Sequence, residues 1–207
     1  NNVETLAAVT GILIHGPDKF SSIGNKKSAG TKLVCFDSFF NNPGVYEIDM
    51  CTPMKKIINE FGGGFKEPIK ALQIGGPLGG VVPIDIVEKL NLDFQEFTNA
   101  GFMLGHGSIV SIPKNFNMVE YIHHLFEFTA EESCGKCFPG RLGSYRGKEM
   151  FDQALNKSHK IPMKILNDLL KTMKEGCLCA LCGAIPVPIS NILKYFGDEM
   201  KSDILEK

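Results

Sequence analysis

Five of the seven cysteines in this 207-residue chain fall in two short patches, Glu132-Ser133-Cys134-Gly135-Lys136-Cys137-Phe138-Pro139-Gly140-Arg141 and Gly176-Cys177-Leu178-Cys179-Ala180-Leu181-Cys182-Gly183. Each patch carries a C-x-x-C pair, Cys134/Cys137 and Cys179/Cys182. A pair so spaced on a turn lets two sulfurs converge on one centre while the intervening N–H groups point toward it, and two pairs supply four thiolates. A shared centre requires a fold that brings the two loops together. Four thiolates suit structural zinc as well as an iron–sulfur cluster. The plain alternative is free cysteines packed as small hydrophobes in a helical core, but that gives no reason for the repeated spacing.

An odd number of cysteines, bunched rather than spread, fits a reducing compartment better than a disulfide framework, so the cytoplasm is expected. The 22 basic side chains nearly balance the 23 acidic ones, which disfavours a nucleic-acid surface. Apolar content of 43% is enough for a real core. No apolar run approaches the roughly 18 residues needed to span a bilayer, and no charged-then-apolar leader opens the chain, so neither membrane insertion nor export is expected. The opening Asn1-Asn2-Val3-Glu4-Thr5-Leu6 lacks an initiator methionine and is expected to lie within a longer polypeptide.

Up to Pro113 the pattern reads as a small α+β unit. Val3 to His15 is a short apolar helix-like segment, followed by a Gly-, Ser- and Lys-rich connector from Ser21 to Thr31. Leu33 to Phe36 and Val45 to Met50 read as strands joined by the turn Asn41-Asn42-Pro43-Gly44, which makes a hairpin. Met54 to Phe61 carries Ile57, Ile58 and Phe61 at helical spacing and stops at Gly62-Gly63-Gly64. Ile69 to Ile74 and Gly107 to Pro113 supply further strands. Beyond Pro113 four amphipathic segments follow, Met118 to Glu131, Ser144 to Leu155, Pro162 to Lys174 and Pro188 to Met200, with Pro162 and Pro188 suited to first-turn positions. Antiparallel packing of such helices would bring both cysteine patches to one place.

Other groups carry less. Gly75-Gly76-Pro77-Leu78-Gly79-Gly80 lacks the Lys-Ser/Thr of a phosphate loop and reads as a turn. His123-His124 has no carboxylate motif beside it and reads as a surface or interface pair. Cys35 and Cys51 read as packing residues. Lys136 and Arg141 would favour the reduced, more anionic form of any cluster beside them; as solvated basic residues they would do nothing.

The residues Glu132-Ser133-Cys134-Gly135-Lys136-Cys137 with Pro139 and Arg141, then Cys179-Ala180-Leu181, then Leu193-Lys194-Tyr195-Phe196-Gly197-Asp198-Glu199 carry a resemblance. With them the chain resembles the C-terminal half of the flavin-carrying, NADH-oxidising subunit of respiratory complex I. It equally resembles the related diaphorase subunits of NAD-dependent formate dehydrogenases and NAD-linked hydrogenases. Arg141-Leu142-Gly143-Ser144-Tyr145-Arg146-Gly147 looks closer to the formate dehydrogenase branch. The resemblance implies an α+β fold in three parts: residues 1–30 a remnant of the FMN-binding domain and connector, 31–114 a small ubiquitin-like (soluble-ligand-binding) β-grasp domain, and 115–207 a helical bundle with the iron–sulfur site.

In that family one 4Fe-4S cluster is held by cysteines spaced C-x-x-C-x-x-C and a fourth in the later C-A-L patch. Cys134, Cys137 and Cys179 match, but the remaining position is Gly140, which cannot ligate. Cys182, where the family usually has glycine, is the favoured replacement, and Cys177 is second. A three-iron cluster, a water-ligated iron, zinc in place of iron, or a degenerate site stay open. Asn1, Asn2 and Thr5 resemble the family's flavin-phosphate contacts. The glycine-rich NADH and FMN loops are missing, so this chain alone is not expected to oxidise NADH. The expected role is relay of single electrons from FMN through the cluster to a ferredoxin-like iron–sulfur subunit of an NAD-linked complex, peripheral to the inner membrane through that complex. The alternative is a non-catalytic assembly or binding module with a structural zinc or degenerate cysteine site.

Overall fold

A computed structural model of the chain describes residues 2–157, 159–200 and 205–206. The helix α1 (Val3–His15) begins at Asn2, whose side chain accepts from the N–H groups of Glu4 and Thr5, and ends at Gly16 with φ 86°. No residue of α1 is buried. It is tied to the rest of the chain by Glu4, whose carboxylate pairs with Lys32 and accepts from the Leu33 N–H at 2.8 Å. The short α2 (Pro17–Ser21) follows.

Five strands form one sheet: β1 (Thr31–Phe36), β2 (Gly44–Asp49), β3 (Ile69–Ile74), β4 (Gly80–Pro83) and β5 (Ser108–Pro113). Their order is β2-β1-β5-β3-β4. The β1/β5 pair is parallel, while β1/β2, β3/β4 and β3/β5 are antiparallel. The expected hairpin is β1–β2, with Thr31 opposite Asp49 and Phe36 opposite Gly44. Its burial alternates on β1, as a strand covered on one face should. By contrast, all four residues of β4 are buried, because helices cover both faces there.

Between the strands lie α3 (Met54–Lys56), continued by a π-helical turn over Ile57–Phe61, then α4 (Ile84–Val87) and α5 (Phe94–Asn99). The expected helix from Met54 to Phe61 is thus present, but its second half is wound more loosely than an α-helix. Ile57 and Ile58 are buried as the spacing requires. These elements cover one sheet face in a core that includes Phe40, Leu72, Ile74, Val82, Phe97 and Ile109.

On the other face, Ala71, Val81 and Ile112 meet the bundle. Its helices are α6 (Met118–Glu132), α7 (Ser144–Leu155), α8 (Met163–Gly176), α9 (Ala180–Ala184) and α10 (Pro186–Met200), with a π-helical turn over Pro139–Gly143. A two-residue pair, β6 (Ile161–Pro162) with β7 (Leu205–Glu206), completes the elements. Pro162 is the residue before α8, and α10 starts two residues earlier than expected, at Pro186, so Pro188 sits in its first turn.

Asn191, Tyr195 and Glu199 of α10 fasten it to the sheet half. The buried Asn191 accepts from the Val81 N–H at 3.3 Å and donates to the Gly101 carbonyl at 3.2 Å. Tyr195 stacks on Phe102 with ring centroids 5.9 Å apart, and Lys70 pairs with Glu199 at 2.6 Å. Among the described residues no helix is long and apolar enough to cross a membrane.

Candidate metal centre

The first patch leaves α6 at Ser133, whose extended backbone ends the helix. Gly135 takes φ 70°, a left-handed conformation suited to glycine, and so turns the chain between Cys134 and Cys137. The Pro139–Gly143 turn then leads into α7, pinned by the buried Ser144 hydroxyl, which donates to the Gly140 carbonyl at 2.6 Å. The second patch follows the end of α8, where the Cys177 N–H closes on Met173 O at 3.2 Å. Cys179 sits at the N-cap of α9 and Cys182 lies one turn on, buried.

The two patches converge. A Cβ built on Gly140 would lie 2.8 Å from the Cys137 Sγ and 3.0 Å from the Cys182 Sγ. The Cys182 thiol also contacts the Ser133 hydroxyl oxygen at 3.8 Å. The Leu178 N–H from the second patch and the Gly140 N–H from the first both point at the Cys137 sulfur and hold its pKa below the ordinary thiol value, against a smaller opposing effect of burial. Burial raises the pKa of Cys182; the Ser133 contact opposes the rise, and the nearby charges of Cys179, Cys137 and Cys134 add to it. Cys177 is pushed up to about 12 by burial and then by its neighbour Cys137. Thiols of both patches therefore act on Cys182, and those of the second patch and Cys137 act on Cys177.

Cys137 and Cys182 are buried, while Cys134 and Cys179 are exposed. Among the described residues, no three His, Cys, Asp or Glu side chains are already set as a metal-ligating group. The donor chemistry nonetheless fits a thiolate-bound metal group: soft sulfurs from two loops, backbone N–H groups aimed at one of them, and room at Gly140 for a second sulfur to enter. Around the thiols the surface carries exposed apolar side chains, with Phe138 and Leu178 68% and 82% exposed and Leu142 and Tyr145 also exposed, among the charged Glu132, Lys136 and Arg141. Arg141 lies over the Phe138 ring, 5.9 Å from its centroid.

The remaining sequence candidates are dispersed. Asn1 lies outside the described residues. Asn2 and Thr5 line an open hollow of about 510 Å³ with Lys32 and His106, and Asn2 is already engaged as the cap of α1. The expectation that Cys35 packs is corrected: it faces outward from the half-wet β1 strand and is exposed. Cys51 is part-buried at φ 66° beside Asn25 and Asp93. His123 is held 2.7 Å from Asp152 on the α6/α7 surface.

The structure is thus a mixed sheet braced by a helical bundle, with five thiols at the helix ends. Residues 120–203 match the model of the NADH-ubiquinone oxidoreductase-F iron–sulfur binding region, and the chain is similar along nearly its whole length to parts of longer proteins. It is 32% identical, over 100% of its length and 43% of the relative's, to the NADP-reducing hydrogenase subunit HndC of Solidesulfovibrio fructosivorans. It is 33% identical, over 99% of its length and 50% of the relative's, to an NADH-quinone oxidoreductase subunit of Rickettsia bellii. The chain thus spans about half the length of the curated relatives it matches. Its fold is shared with a chain of an NAD+-reducing [NiFe]-hydrogenase in the H2-reduced state, at a TM-score of 0.88 and 23% identity over 100% of this chain and 35% of the other.

Proposed function

We propose that this chain is the electron-transfer portion of an NADH dehydrogenase-type subunit, in which single electrons pass from FMN through a 4Fe-4S cluster to a partner subunit. The observation that carries the reading is the convergence of the Cys134-Cys137 and Cys177–Cys182 loops at Gly140, inside the segment that matches an iron–sulfur binding family. A flavin takes up hydride as two electrons and a cluster carries one at a time, so the bound cluster supplies the one-electron step. The chain's own residues do the rest. Cys134, Cys137, Cys179 and a further thiol would ligate, the Leu178 and Gly140 N–H groups would stabilise thiolate charge at Cys137, and exposed Phe138, Leu142 and Leu178 would offer a partner an apolar seat close to the sulfurs.

The sheet order, with parallel β1 and β5 at its centre, supports reading residues 31–114 as a β-grasp domain and 115–207 as the cluster-binding bundle. Residues 1–30 read as the edge of an FMN-binding domain, with Asn1, Asn2 and Thr5 on its phosphate side. NAD and FMN would be held by the remainder of the subunit, and the acceptor would be a ferredoxin-like iron–sulfur subunit.

Anaerobic reconstitution with iron and sulfide tests this reading. The expected result is about four irons and four sulfides per chain and an electron paramagnetic resonance signal on reduction. Tight uptake of one zinc with no iron incorporated would replace it with the structural-module reading.

A further inference from the structure

Resting on that cluster reading, we propose that Gly140 and Cys182 are an exchange pair: the ligand that a third C-x-x-C position would supply is delivered by Cys182 of α9 into the space Gly140 leaves. Three observations carry this. First, Gly140 does not need to be glycine for its backbone, because its φ lies outside the left-handed region; what it provides is room. Second, the three atoms nearest to a Cβ at 140 are the Cys137 Sγ at 2.8 Å, the Cys182 Sγ at 3.0 Å and the Cys182 Cβ at 3.3 Å, and none belongs to Cys177. A side chain at 140 and the Cys182 thiol therefore compete for one volume in this packing. Third, Cys182 touches the first patch at both ends, at Ser133 before Cys134 and at Gly140 after Cys137.

Cys177 also neighbours Cys137, but it is anchored differently. Its N–H caps α8 and its side chain lies against the bundle core, with its Cβ 3.6 Å from the Cβ position of Gly183. It is the resident thiol that does not ligate. With Cys179 at the N-cap of α9 and Cys182 one turn on, the second loop supplies two ligands and the first loop two.

The test uses the chain reconstituted anaerobically in four forms: unchanged, Cys182→Ala, Cys177→Ala, and the double substitution Gly140→Cys with Cys182→Gly. Iron and sulfide per chain, the paramagnetic signal of the reduced sample, and far-ultraviolet circular dichroism are read for each. The unchanged chain and Cys177→Ala should load alike. Cys182→Ala should fall from about four irons to about three or fewer, and the double substitution should return the count and signal. Equal loading by Cys182→Ala, or loss on Cys177→Ala with fold retained, overturns the exchange while leaving the cluster reading intact. If Cys182→Ala misfolds, the double substitution decides alone: failure to load with native dichroism refutes the pair. No iron in the unchanged chain defeats the cluster reading itself.

Discussion

Gly147 lies buried inside α7, where alanine would ordinarily raise helix stability by about 1 kcal/mol. Here the added methyl group has no room. Its Cβ would sit 2.2 Å from two ring carbons of Phe126 and 2.5 Å from a third. Phe126 is fully buried on α6 and packs against the equally buried Phe151, ring centroids 5.8 Å apart. The ring cannot swing away, so α7 must lift off α6. Overpacking of this kind costs about 1–3 kcal/mol, and because the obstacle is a blocked ring the upper part of that range applies. Subtracting the propensity gain leaves Gly147→Ala destabilised by about 1–2 kcal/mol, a fall in Tm of about 2–8 °C for a chain of this size. Gly197→Ala in α10 is the matched control: nothing lies within 4 Å of its Cβ, so only the propensity gain remains, about 1 kcal/mol of stabilisation. Urea unfolding midpoints of both variants against the unchanged chain measure the pair. A Gly147→Ala midpoint at or above that of the unchanged chain would refute the close-approach argument.

Two further outcomes follow from the sheet side. Asn191→Ala strands the buried Val81 N–H and the Gly101 carbonyl and should cost about 1–3 kcal/mol, with amide hydrogen exchange accelerated at Val81 first; unchanged exchange there would contradict the clamp. Asp93 caps α5, and although burial alone would raise its pKa, the Glu96 N–H, Asn25, Cys51 and the Gln95 N–H outweigh it and hold the carboxyl below its ordinary value of 3.8. A depressed folded pKa stabilises fully above the unfolded value and is lost as pH falls through the folded one. The acid limb of a Tm-against-pH profile should therefore flatten in Asp93→Asn, which keeps a capping oxygen but no charge, and an identical limb would remove Asp93 from the account.

What the sequence disclosed follows from how each segment is covered. The span Val3–His15, strand Ile69–Ile74 and helix Ser144–Leu155 match their expected limits because caps, glycines or apolar period mark their ends. The strand Gly80–Pro83 was not legible: buried on both faces, it shows no alternation and sits among glycines and a proline. The π turns at Ile57–Phe61 and Pro139–Gly143 are set by tertiary packing, and five-residue α9 is too short for any period to register. At the thiols, the paired spacing predicted the meeting of the loops. It did not reveal that Leu178 would donate to Cys137, that Ser133 would meet Cys182, or that Gly140 would face both sulfurs, since these depend on where α8 stops and α9 starts. The capping use of Asn2 was open to reading from its place before an apolar helix.

The short helix bearing Cys182 passes through Ile185 directly into α10, and α10 is fixed to β4 and the Gly101 loop by Asn191 and Tyr195. Both thiol loops thus hang from helices footed on the sheet: α6, before the first loop, through the Tyr121 hydroxyl, which donates to Gln73 at 2.6 Å, and α10, after the second, through Asn191. The spacing between the two halves of the sulfur nest is thereby tied to how these two helices seat on one sheet.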